Sequence, residues 1–271
     1  MIVVTGTRRA GTSMWMQVLR AAGFPVFGDA FPRRWSETIR EANPRGFYES
    51  LFREGIYHAT NPHPRTGHYV FPEQVKHHAA KIFIPGVIRS ERAYLDRVVV
   101  SVRHWAEYAA SLHRLQAMEQ QRLGATAPGM PPVLEWWNEL YSLIRDVVTR
   151  RYAVHFVSYD AVLRRPAETV GEVIGWIGQG DADAAAAVVS PALRTQERPF
   201  VEPGYPRWVL TTFEELHRHL DQGKPLDARF VKRLNEVNHF LAPEIRRAQV
   251  ELIRHRRRSR AERMGAVSPA A

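Results

Sequence analysis

The first 23 residues constrain this chain more than any other segment. Ile2-Val3-Val4-Thr5 is a β-branched run of the kind that fills a buried parallel strand. Gly6-Thr7-Arg8-Arg9-Ala10-Gly11-Thr12-Ser13 follows, with the G-x-x-x-x-G spacing of a phosphate-binding loop. From Thr12 to Ala22 the residues form helices well, Met14, Val18 and Leu19 fall on one face, and Gly23 supplies a stop. Glycines let a backbone curl around an anion, and N–H groups at a helix start point into the hollow so made. The lysine that follows the second glycine in nucleoside triphosphatases is absent; Thr12 stands there, and the positive side chains lie inside the loop at Arg8 and Arg9. Those enzymes also hold magnesium with an acidic residue on a later strand. The clearest later strand, Arg97-Val98-Val99-Val100-Ser101-Val102-Arg103, carries no carboxylate. The plain alternative is a glycine turn in an ordinary βα unit.

The rest of the chain repeats the alternation. Residues 81–84 form a short strand candidate ended by Pro85-Gly86, and residues 154–157 form another. Helical patterns span 104–122, 133–149 and 166–177, and a Pro- and Gly-rich linker occupies 124–132. Strands alternating with helices predict an α/β fold, a P-loop-like three-layer arrangement with a central parallel sheet flanked by helices. Residues 1–245 are expected to form one domain. Residues 246–271 form a basic, partly disordered tail: 246–263 hold eight arginines against two glutamates, +6 of the chain's formal +10. With 271 residues the chain can bury a substantial core. No cysteine is present, so disulfides, cysteine zinc sites, iron–sulfur clusters and a thiol nucleophile are excluded. Apolar stretches are short, and no basic segment precedes a long apolar one. A cytoplasmic protein with neither a membrane nor a nucleic acid as partner is expected.

Arg103 ends its strand, and Ser111 follows eight residues later on a helix. A basic residue at the C-terminal end of a strand sits where open α/β sheets bind ligands, and a guanidinium can grip a phosphate bidentately. With Arg9-Ala10-Gly11-Thr12-Ser13 these residues resemble the bacterial type of 3′-phosphoadenosine 5′-phosphosulfate (PAPS)-dependent sulfotransferases. In that family a Lys/Arg-Ser-Gly-Thr-Thr/Ser core binds the 5′-phosphosulfate, and a strand-end arginine with a serine eight residues on binds the 3′-phosphate. Asn43-Pro44-Arg45-Gly46-Phe47-Tyr48-Glu49 is similar to a segment common in bacterial members. Tyr159-Asp160-Ala161-Val162 is similar to the family's Tyr-Glu-Asp-Leu segment. The matches run in the expected order from about residue 2 to residue 178 and do not extend beyond Arg198.

The resemblance implies transfer of a sulfuryl group from PAPS, without a metal, to a hydroxyl or amine of a small-molecule or glycan acceptor. It assigns donor contacts to Arg8, Arg9, Ala10, Gly11, Thr12, Ser13, Arg103, Ser111 and Tyr159. Three departures matter. Ala10 replaces the loop serine. Phe83 stands where animal cytosolic members carry their catalytic histidine. The late Gly-x-x-Gly-x-x-Lys segment is missing, which leaves Arg194, Arg198 or Arg207 to replace its contacts. The vacant role of general base passes first to Glu49, with His58, His68, His77 and His78 as competitors, and Lys81 matches the family's activating lysine. Trp35, Phe47, Tyr48, Tyr57, Tyr69 and Phe71 are expected to wall the acceptor site, whereas Trp136 and Trp137 read as core. Trp15 falls one residue after the family's adenine-stacking tryptophan. Two other readings stay open: a P-loop kinase-like phosphotransferase, and a non-enzymatic anion- or nucleic-acid-binding module. The acceptor and the oligomeric state are not encoded in any motif.

Overall fold

The structure is a computed structural model that describes residues 1–32, 43–123, 129–194 and 204–265. Four parallel strands form one sheet: β1 (Ile2–Thr5), β2 (Ala79–Lys81), β3 (Arg97–Val102) and β4 (Val154–Ser158), in the order β2-β1-β3-β4. Nine helices are present among the described residues: α1 (Thr12–Ala21), α2 (Ile84–Arg89), α3 (Trp105–Leu123), α4 (Pro132–Arg150), α5 (Tyr159–Arg164), α6 (Pro166–Ile177), α7 (Ala182–Ala187), α8 (Arg207–Asp221) and α9 (Ala228–Gly265). The expected α/β architecture with a parallel sheet between helical layers is the one observed.

Alternation along the strands builds the layers. Ile2, Val4 and Val99 pack with Trp15, Val18 and Leu19 of α1 and with Val170, Val173 and Ile174 of α6. Val3, Val98, Val100 and Val102 face the other way, into a larger core shared with α2, α3, α4, α8 and α9. Because both faces are covered, the strands read as continuous apolar runs. Trp136 and Trp137 lie in that second core, and Trp137 stacks on Phe213 at a centroid distance of 5.0 Å.

Three features differ from the sequence expectation. The strand after residue 78 stops at Lys81, and Pro85-Gly86 lie in the first turn of α2 instead of ending a strand. Proline's fixed φ and missing N–H suit the first helical positions. Gly86 also packs so closely on the backbone of Gly55 that a Cβ there would lie 2.7 Å from its nitrogen. Residues 207–221, left unassigned in the sequence, form α8, whose Val209, Phe213, Leu216 and Leu220 carry the helical period and are buried. The boundary placed at 245 falls inside α9, which runs unbroken to Gly265. Part of the 124–132 linker and the last six residues lie outside the described residues. No described helix is long and apolar enough to cross a membrane.

Candidate active site

β1 has β2 on one side and β3 on the other, so the chain order reverses at β1. The C-terminal ends of the strands beside such a reversal border the crevice where open α/β sheets bind ligands. The glycine loop lies there. Gly6 has φ 152°, and a Cβ on it would sit 2.3 Å from the Ser101 carbonyl oxygen of β3. Gly11 has φ 94°, and a Cβ on it would sit 2.7 Å from the Tyr159 ring. Both contacts admit only glycine. Between them the loop is pinned: Ala10 N–H donates to the Thr7 carbonyl at 3.1 Å, and Ser101 Oγ donates to the Ala10 carbonyl at 2.5 Å. Arg9 takes a left-handed backbone, φ 67°, the kind of local strain often found at ligand-binding turns. α1 then starts at Thr12 with no side-chain cap. The amides of its first turn therefore have no partner within the helix, and Thr12, Ser13 and Met14 line a cavity of about 380 Å³.

At one end of that cavity two guanidinium groups meet. Ser111 Oγ accepts from Arg9 Nε and from Arg103 Nη1, both at 3.3 Å. Arg103 Nη1 also donates to the Arg9 carbonyl at 2.9 Å, and its guanidinium lies 4.5 Å from the centroid of the Tyr159 ring. Burial, and then repulsion from Arg103, push the Arg9 pKa down to about 10. Arg103 Nε has no hydrogen-bond partner among the described residues. Behind this pair a carboxylate network sets the positions. Arg103 pairs with the fully buried Glu107, which also accepts from Arg194 at 2.8 Å, and Arg194 reaches Asp160 at 2.9 Å. Trp136 Nε1 donates to the Arg103 carbonyl at 2.8 Å.

The other end of the cavity is built on Lys81, at the C-terminal end of β2. Its ammonium donates to the Phe47 carbonyl at 2.6 Å, to Glu49 Oε1 at 3.0 Å and to Ser13 Oγ at 3.3 Å. Glu49 Oε2 accepts from Arg53 at 3.0 Å. Lys81 and Glu49 are both buried, and burial lowers the Lys81 pKa against the pull of Glu49. The segment carrying Glu49 is held by an antiparallel bridge to Asp29. There Gly28 approaches so closely that a Cβ would lie 2.7 Å from the Glu49 carbonyl carbon. Phe83 and Phe47 supply apolar wall.

Thus the cavity brings together Arg8, Arg9, Gly11, Thr12, Ser13, Glu49, Lys81, Arg103 and Tyr159. Ala10 and Ser111 are buried beneath it and act on it through the loop carbonyl and the two arginines. Arg8 stands at the rim, held bidentately by Glu135 at 3.0 Å. Several expected residues lie elsewhere. His58, His68 and His77 are exposed, and none of the three lines the cavity; His58 packs edge-on against Tyr57. His78 is half-buried against Phe27. Tyr57, Tyr69 and Phe71 do not line the cavity, and Tyr48 is buried in the opposite core. Trp15 is fully buried among the apolar side chains of α1 and its neighbours. Arg207 is exposed at the start of α8. Trp35 and Arg198 lie outside the described residues.

Arg53 and Glu107 join the candidate site through Glu49 and Arg103 and are not among the residues expected from sequence. Each had a signal, because Arg53 is four residues from Glu49 and Glu107 is four from Arg103, the spacing at which charges meet. Among the described residues no group of three or more His, Asp or Glu is placed to hold a metal ion. A search of protein-family models finds no match to this chain, and a search of curated proteins also finds none.

Proposed function

We propose that this chain transfers a sulfuryl group from PAPS to a hydroxyl or amine of an acceptor. The observation that carries this reading is the meeting of half-buried Arg9 and buried Arg103 on Ser111, beside the uncapped first turn of α1. Two cations forced together in a part-buried crevice suit a ligand with more than one anionic group, and the vacant Arg103 Nε offers a further donor. In this reading Arg103 and Ser111 hold the 3′-phosphate. Arg9 and the amides of Thr12 and Ser13 hold the 5′-phosphosulfate.

The chemistry then falls at the Lys81–Glu49 end. Transfer breaks the bond from sulfur to the bridging phosphate oxygen and forms one from sulfur to the acceptor oxygen or nitrogen. Charge accumulates on the departing phosphate, where Lys81 and Arg9 stabilise it. Glu49 takes the acceptor proton, held in place by Lys81 and Arg53. The protein's contribution is mostly position and preorganised charge.

The test is calorimetric titration with 3′-phosphoadenosine 5′-phosphate, followed by transfer assays with labelled sulfate. Arg9→Ala and Arg103→Ala should each weaken nucleotide binding by roughly 10- to 100-fold, the scale of a charge-assisted hydrogen bond. Glu49→Gln should lower turnover by about 10²- to 10⁴-fold with nucleotide binding retained. Unchanged nucleotide affinity in both arginine variants would sink the reading, and magnesium-dependent ATP turnover would replace it with a phosphotransferase.

A further inference from the structure

The arginines of α9 play no part in the site described above, yet they begin at its edge. Arg246, Arg247, Arg254, Arg257 and Arg258 are exposed, and none forms an ion pair among the described residues. A groove runs between this half of α9 and the segment leading into α4, lined by Gly129, Pro131, Arg247, Arg254 and Arg258. Its carboxylates are Glu244, which accepts from Tyr205, and Glu251. Gly129 joins the groove to the cavity: a Cβ built on it would lie 3.8 Å from the guanidinium of Arg8, which lines the cavity rim. A cationic path therefore leads from the cavity rim at Arg8, past Gly129, along α9.

We infer that this path binds an acidic polysaccharide strand and that the strand is the acceptor, an assignment that rests on the function proposed above. The charge complementarity is direct: five unpaired guanidinium groups face solvent on a helix whose opposite side is packed into the domain. From Arg247 to Arg258 the helix rises roughly 16 Å, the reach of an extended polymer and not of a small molecule. Nucleic acid fits less well. Among the described residues the groove lining has no Phe, Tyr or Trp and only one imidazole, His255, so it lacks the succession of stacking platforms that single strands use. An anionic bilayer also fits less well, because the large apolar side chains of α9 mostly face the domain, leaving Phe240, Val250 and Ile253 exposed.

The experiment measures binding of fluorescently labelled polygalacturonate to the full chain by anisotropy. Neutral dextran, galacturonate monomer and poly-dT serve as comparison ligands. Two charge-matched triple variants are compared: R247E/R254E/R258E in the groove and K224E/R229E/K232E in the loop before α9 and its first turns. The groove variant should weaken polygalacturonate binding by about tenfold or more in 0.1 M salt, with binding to the wild type falling as salt rises. The distal variant should leave it unchanged, and neither dextran nor the monomer should compete. Equal weakening by both variants, or poly-dT binding more tightly than polygalacturonate, would overturn the inference. Titration of the wild type with 3′-phosphoadenosine 5′-phosphate separates the two ideas. If the nucleotide binds and the polymer does not, the inference alone fails; if the polymer binds through the groove and the nucleotide does not, the transfer reading fails and the polyanion site stands.

Discussion

The arginines of the cavity and those of the second half of α9 are the same residue under opposite conditions. Around the cavity four guanidinium groups are tied to carboxylates, Arg8 to Glu135, Arg53 to Glu49, Arg103 to Glu107 and Arg194 to Glu107 and Asp160, and Arg9 rests on Ser111 beside Arg103. Along the second half of α9, Arg246, Arg247, Arg254, Arg257 and Arg258 have no such partners among the described residues. A buried charge must be compensated, because leaving water costs several kcal/mol per ion. An exposed one keeps its hydration, and its pairing is worth little. The difference teaches that net charge alone says little here. The paired set fixes directions at a point, while the unpaired set spreads a field along a line.

That contrast can be broken from either side. The largest effect is expected at Glu107, which is fully buried between two guanidinium groups. Glu107→Gln leaves Arg103 buried without its counter-charge and should cost about 3 kcal/mol or more in chemical denaturation, since removing one partner of a buried pair is strongly destabilising. Stability within experimental error of the wild type would mean that the network is ornamental.

An intermediate effect is expected from pH. Burial, with the neighbouring charge of Glu135, pushes Glu139 up to about 8 from an ordinary 4.5, against the pull of Arg8. Its folded pKa is above its unfolded one, so between those values the native state holds a proton that the unfolded chain has lost. Stability should therefore fall as pH rises from about 5 to about 8, by at most about 1.4 kcal/mol per pH unit for one proton. Denaturation midpoints across that range check the slope, and Glu139→Gln should flatten it. The smallest effect sharpens the other side of the comparison: Arg254→Gln on α9 should change stability by less than about 0.5 kcal/mol, as expected for an exposed, unpaired site.

Much of the fold was legible in particular residues. The run Ile2–Thr5 with Gly6 and Gly11 specified a strand, a loop and a helix, and the run Arg97–Val102 specified the adjacent strand. Both patterns are local, set by β-branched side chains and by glycine's access to positive φ. Residues Ile82 to Ile84 are apolar enough to continue a strand past Lys81. Only pairing with β1, which stops at Lys81, decides where β2 ends. The apolar period of Val209, Phe213, Leu216 and Leu220 allows a helix, but only the core containing Trp136 and Trp137 gives α8 its place.

The site divides in the same way. Loop position and spacing singled out Arg9 and Arg103, whereas Lys81 and Glu49 were pointed to by the family resemblance alone. No local rule could say that Lys81 and Glu49, 32 residues apart, share a proton-bearing contact, or that Ser111 is the point where Arg9 and Arg103 meet. Nor could it say that His58 faces solvent while Phe83 lines the cavity. The sequence alone determined which groups can be charged and which turns the backbone can take, because those are properties of single residues and near neighbours. Only the tertiary structure decided which charges are buried together, because that depends on strand order at β1 and on the core that gathers α3, α4 and α8 on one face of the sheet.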